Sequence, residues 1–160
     1  DFFINPRDEL TRRFINSLVL LNRGYQFEFD NDVDLATLLY TTSAESLLTE
    51  NQNEKRLRLA ATLPNLITIE DKTKYEVSKI LDDVYLKRNS FVHSGKSPFY
   101  DDLEDEDNNL KFTRTVISKL ILKYSEIDTF LSKQSQGSRN KRWDSYVDQL
   151  FKELIFGKSE

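Results

Sequence analysis

The chain has no cysteine and no methionine, a single histidine, four glycines and three prolines. Without cysteine there is no disulfide, no Cys-ligated zinc and no thiol nucleophile. One histidine excludes a multi-His metal centre within one chain, and no cofactor is expected. The missing methionine, absent even at position 1, points to a chain that begins inside a longer polypeptide or after processing. Residues 1–160 are therefore read as one domain excised from a larger protein, large enough to bury a core. No run is long enough to span a bilayer and no signal-peptide segment is present, so a cytoplasmic protein with no membrane partner is expected. A net charge of −4 argues against a broad basic surface that coats nucleic acid. A few local phosphate contacts remain compatible with it.

Long stretches repeat at helical spacing. Asn5-Pro6 reads as a cap followed by proline in the first turn. Leu10, Phe14, Leu18 and Leu21 then share one helical face, and Arg23-Gly24 is expected to end the helix. Tyr25 to Phe29 alternates apolar and polar residues and reads as an extended connector. Asp30-Asn31-Asp32 marks a turn and caps a helix with Leu35, Leu38, Leu39, Thr42 and Ser46 on one face. Glu45 lies at the edge of that face. After a polar break at 51–53, residues 54–62 read as a short helix stopped by Pro64. Thr68 to Asp71 resembles a capping box, opening a long helix with Val77, Ile80, Leu81 and Val84 on its stripe. Ser94-Gly95 supplies its stop, with Pro98 beyond. Asp101 to Asp107 reads as a solvated acidic loop that lacks the glycine and spacing of a calcium site. Leu110, Ile117, Leu120, Ile121, Tyr124, Ile127 and Leu131 form the longest amphipathic stripe. A polar hinge at 134–138 leads to a last helix carrying Trp143, Val147, Leu150, Phe151 and Leu154. Arg139-Asn140-Lys141-Arg142 opens that helix against the macrodipole, which asks for an anionic partner or an acidic neighbour such as the 101–107 loop. The sum is an all-α bundle of about six helices.

The chemistry concentrates between Tyr85 and Gly95. At 100° per residue, Ile80, Leu81, Val84, Phe91 and Val92 fall within about 60° of Val77. Arg88 falls at about 20°, inside that apolar stripe. An arginine facing a core must be paired or must open onto a wet cleft. Asn89 and His93 lie on a neighbouring face, at about 120° and 160°. Guanidinium, amide and imidazole converge if the last turn loosens near Ser94-Gly95. Such a set suits phosphodiester chemistry. Imidazole takes a proton from a ribose 2′-hydroxyl, and a guanidinium holds the phosphate. One histidine cannot be base and acid at once, so a symmetric dimer with two copies of the helix is expected. On the structural alternative, His93 complements the helix dipole and Arg88 pairs with Glu45.

Arg88-Asn89-Ser90-Phe91-Val92-His93 resembles the R-(N/H/K)-x-x-x-H motif of the HEPN superfamily. The wider context is similar to its Apea-like branch, with Val84-Tyr85 before the motif and Ser94-Gly95 after it. Upstream, Ser43 to Leu48 resembles an "xLExLL" helix, with Ala44 in place of its first leucine, and Arg58-Leu59-Ala60 matches an "R-x-A" helix. The likeness spans roughly residues 32 to 131. It implies a HEPN-like helical domain that dimerises through the motif helices and cleaves RNA without metal, leaving a 2′,3′-cyclic phosphate and a 5′-hydroxyl. It implies that Arg88 and His93 are catalytic, that Asn89 assists, and that Glu45 orients Arg88. It also implies a role in prokaryotic antiviral defence or a toxin–antitoxin system, with a sensing domain elsewhere in the parent chain. Ser94 departs from the branch, which often has glycine directly after the histidine. Two other readings compete: a non-catalytic helical dimerisation or interaction module, and a nucleotide-binding sensor domain.

Overall fold

The computed structural model describes residues 8–48, 54–95, 103–133 and 137–156. The expectations placed on Asn5-Pro6, on the 51–53 break and on Pro98 lie outside them. Among the described residues seven helical segments follow one another: α1 (Glu9–Phe29), α2 (Val33–Leu48), α3 (Lys55–Leu66), α4 (Lys74–Ser94), α5 (Leu103–Leu122), α6 (Tyr124–Ser132) and α7 (Arg139–Phe156). No strand occurs among the described residues, and the all-α bundle stands. None of the described helices is long and apolar enough to cross a membrane.

The first helix runs past its expected stop. Asp8 caps it, its carboxylate accepting from the Thr11 amide at 3.0 Å. Gly24 does not end it. A Cβ at Gly24 would sit 2.6 Å from Cε1 of Tyr40, so the glycine lets α2 approach closely. Tyr25 to Phe29 is therefore the last part of α1 and not an extended connector. Its alternation gives way to a helix in which Phe27 packs on the core while Phe29 faces outward. Asn31 turns the chain in the left-handed region, and Asp32 accepts from the Leu35 amide at 3.1 Å.

The buried face of α2 is not the expected Leu35/Leu38/Leu39/Thr42/Ser46 face. Ala36, Thr37, Tyr40, Thr41, Ser43, Ala44, Leu47 and Leu48 go inward. Ser17 and Ser43, whose hydroxyls meet at 2.7 Å, bring α1 and α2 close together. Hydrophobic ranking misses this because threonine and serine go inward here, Thr41 and Ser43 with their hydroxyls bonded and Thr37 with its Oγ1 left without a partner. Thr41 and Ser43, for example, donate to the Thr37 and Ser17 carbonyls at 2.8 Å each.

Pro64 lies inside α3 instead of stopping it. It falls in the last turn, so the one donor it removes and the ring it inserts disturb the ladder only where the helix is about to end. The capping box belongs to Thr73 and Glu76 and not to residues 68–71. Thr73 Oγ1 accepts from the Glu76 amide at 3.2 Å, while the Thr73 amide donates back to the Glu76 carboxylate at 2.7 Å. From residue 103 the acidic run is helical, the start of α5, and not a loop; its first two residues lie outside those described. The long stripe of residues 110–131 breaks at Lys123 into α5 and α6.

α1 packs most extensively on α2, and α3 on α4. α7 closes the bundle with Trp143, whose indole N–H donates to the Leu47 carbonyl at 2.6 Å. Arg13, buried on α1, donates from Nε to the Ser46 carbonyl at 2.8 Å and from Nη2 to the Leu47 carbonyl at 3.1 Å. Asp144 of α7 pairs with the same guanidinium at 2.7 Å. The last carbonyls of a helix have no partners of their own. Here two core side chains satisfy them and thereby fix the C-terminal end of α2, which carries Glu45.

Candidate functional site

The C-terminal half of α4 faces that fixed end of α2. Val77, Leu81, Val84 and Tyr85 are the residues α4 buries. Val92, expected on the same stripe, is 47% exposed, and Phe91 is half-buried. The last turn of α4 therefore projects past the core. Arg88 sits at the margin, where its side chain is 19% exposed.

Three contacts hold the guanidinium. Its Nη1 donates to Oδ1 of Asn89 at 2.9 Å. Its Cζ lies 5.4 Å from the centre of the Tyr85 ring, within cation–π range. Its Nη2 is 3.9 Å from Oε1 of Glu45, an ion pair too long for a hydrogen bond. Glu45 is itself 11% exposed and has shorter partners. The Tyr85 hydroxyl donates to Oε1 at 2.7 Å, and Lys55 Nζ donates to Oε2 at 3.1 Å. Burial first, and then the Glu45 carboxylate, push the Tyr85 phenol up to about 12. It is a neutral donor at neutral pH.

His93 is not part of this cluster. The helix stays regular through Ser94, with the Gly95 amide donating to the Phe91 carbonyl at 2.9 Å and Gly95 at φ 64° as the C-cap. The loosening of the last turn on which convergence depended does not occur. Arg88 and His93 thus remain about 140° apart around the axis and do not converge within one chain. His93 is exposed and has no hydrogen bond or ion pair among the described residues. The structure therefore brings Arg88, Asn89 and Glu45 together and leaves His93 on the outer face of the same helix. Asn89 contacts Arg88 and not the imidazole.

Sequence reasoning missed Tyr85 and Lys55. Tyr85 had a signal: a tyrosine one turn before Arg88 on a buried face needs a partner for its hydroxyl. Lys55 had none. It opens α3 and reaches Glu45 only through the folding of α3 against α2 and α4.

A groove of about 550 Å³ lies elsewhere, between α3 and the first half of α4. Leu57, Ala60 and Tyr75 line it, and Arg56 and Asp82 pair on it at 2.6 and 2.7 Å. Neither Arg88 nor His93 contributes to it. Among the described residues no group of three His, Cys, Asp or Glu side chains is arranged to hold a metal ion. The basic start of α7 faces Asp8 and Asp128 through Arg139; the side chains of residues 101–107, the expected acidic neighbour, lie outside those described. Comparisons of the chain with protein-family models, with curated proteins and with solved structures find no match.

Proposed function

We propose that the protein is a metal-independent endoribonuclease of the HEPN type, acting as a homodimer in the cytoplasm, in antiviral defence or a toxin system. The observation that carries this reading is the state of Arg88. It is a half-buried guanidinium steadied by Asn89 and the Tyr85 ring, with no hydrogen bond to its carboxylate neighbour. Such a group has donors left for a phosphate.

His93 supplies the proton chemistry. It shares the exposed face of α4 with Tyr75 and Leu86, at i, i+11 and i+18, within about 20° of one another. Two chains meeting along the side of α4 that lies between His93 and Arg88, where Asn89 sits, would pair two His93 side chains over one phosphate within reach of Arg88. One imidazole takes the proton of the 2′-hydroxyl, and the 2′ oxygen attacks phosphorus. The bond to the 5′ oxygen breaks, and the partner's His93, as imidazolium, protonates that leaving oxygen. Arg88 neutralises the charge that builds on the non-bridging oxygens. The products are a 2′,3′-cyclic phosphate and a 5′-hydroxyl, so atoms and protons balance without water or metal.

Single-stranded RNA incubated in EDTA with wild-type protein and with His93→Ala tests this. Expected is cleavage by the wild type with cyclic-phosphate ends and a loss of at least about 100-fold in the variant. No cleavage, or equal cleavage by both, overturns the reading.

A second reading is favoured by the outer face of α4, where Tyr75 and Leu86 are both exposed. On it the domain is a non-catalytic module that assembles its parent protein, and Arg88 is a structural partner of Glu45. An equilibrium sedimentation shift on Leu86→Glu, in a protein without RNA cleavage, would select it.

A further inference from the structure

Glu45 has two carboxylate oxygens and three donors around it. An arginine forms its strong forked pair with a carboxylate only by using both oxygens at about 2.7–2.9 Å. Here Tyr85 is on Oε1 at 2.7 Å and Lys55 is on Oε2 at 3.1 Å, leaving Arg88 at 3.9 Å. One carboxylate thus faces two cations, and the cluster keeps one positive charge in a chain whose net charge is −4. The excess sits at Arg88, because Lys55 is the closer of the two cations to the carboxylate.

We propose that Lys55 is a positioning residue for Arg88: by occupying Glu45 it keeps the guanidinium out of a closed ion pair and available to a phosphate group. This rests on the reading of Arg88 as the phosphate-binding side chain. Tyr85 acts in the same direction. Its hydroxyl fixes the oxygen nearer Arg88, and its ring supports the guanidinium from below. Closing the gap to Glu45 takes a movement of only about 1 Å, well within what a side chain does when a competitor is removed. In the absence of Lys55, Arg88 and Glu45 close into a neutral fork, and a phosphate must first break it.

The test titrates inorganic phosphate into the full chain and follows the Arg88 Nε–Hε signal by NMR, assigned with Arg88→Lys. Wild type is expected to respond. Lys55→Ala is expected to bind phosphate about tenfold more weakly, the scale of one charge-assisted hydrogen bond. Lys55→Arg is expected to restore binding to within about twofold, because the charge on Glu45 returns. In a Glu45→Gln background, where no carboxylate competes, Lys55→Ala is expected to cost nothing. Equal binding by wild type and Lys55→Ala overturns the proposal. So does a tenfold loss that persists in the Glu45→Gln background, since Lys55 would then touch the anion itself. A silent Arg88 signal in the wild type also overturns it. RNA cleavage separates this from the nuclease reading. The expected phosphate pattern without His93-dependent cleavage sinks the nuclease and leaves the positioning role. Cleavage by the wild type with an unchanged KM in Lys55→Ala does the opposite.

Discussion

Arg88 and Arg139 are built from the same parts and end in opposite states. Each has a tyrosine and at least one acidic side chain within reach. Arg139, 8% exposed, spends its terminal nitrogens fully. Nη1 donates to Asp8 at 2.8 Å, Nη2 to the Tyr124 hydroxyl at 3.1 Å, and Asp128 lies against Nη2. Arg88 has one hydrogen bond, to its own neighbour Asn89, and a carboxylate at 3.9 Å. The Nε of both is buried without a partner, so the contrast lies at the terminal nitrogens. What differs is where the tyrosine hydroxyl and the second cation go. Tyr124 serves the guanidinium directly, whereas Tyr85 and Lys55 serve the carboxylate and crowd the guanidinium out. The first arrangement is a joint that ties the start of α1 to α6 and α7. The second is a charge held in reserve.

The contrast is open to measurement. Arg139→Ala should cost about 3 kcal/mol in urea unfolding, because it strands two carboxylates and a hydroxyl. Arg88→Ala should cost about 1 kcal/mol, as a long and partly exposed pair does. A loss at Arg88 equal to that at Arg139 would erase the distinction and favour the assembly-module reading. A smaller effect concerns acid. Burial acts to raise the Asp8 carboxyl, but bonds from Thr11 and the Arg139 charge outweigh it and hold it below the ordinary 3.8. A depressed folded value means stability present above pH 3.8 and lost as pH falls below it, through the folded value. Asp8→Asn should flatten the acid limb of a stability–pH curve in that window, and an unchanged limb would break the assignment. At the other cluster the sign reverses. Tyr85 is raised from 10.0 to about 12, so its contribution is full below pH 10 and is lost as pH rises toward 12. Tyr85→Phe should soften alkaline unfolding there, read by circular dichroism. The smallest effect belongs to His93→Ala, whose melting temperature should stay within about 2 °C of wild type because the side chain is exposed. A larger drop would show the histidine to be part of the scaffold.

Much of this was legible in sequence wherever the signal is local. The stop at Gly95, the cap at Asp32, the core positions Leu10, Phe14 and Trp143, and the odd placement of Arg88 all follow from spacing along one helix. Errors came where a residue answers to a neighbour distant in sequence. Gly24 looks like a terminator until Tyr40 is seen against it. The inward face of α2 cannot be ranked by hydrophobicity when Ser43 is buried against Ser17. The start of α7 looked mismatched until Asp8 and Asp128 closed on Arg139.

The sequence by itself determined that the protein is helical, where most of its apolar stripes lie, and that Arg88 needs an explanation. Helical periodicity and capping depend on residues a few positions apart, so they survive being read in one dimension. Only the tertiary structure decided that Glu45 is shared, that Lys55 and Tyr85 take its two oxygens, and that His93 stays on the outside of its helix. Hydrogen bonds between helices are set by how the helices dock, and a shift of about 1 Å there separates a hydrogen bond from none. That distance is the difference between an arginine tied into the fold, as Arg139 is, and one held short of its carboxylate, as Arg88 is.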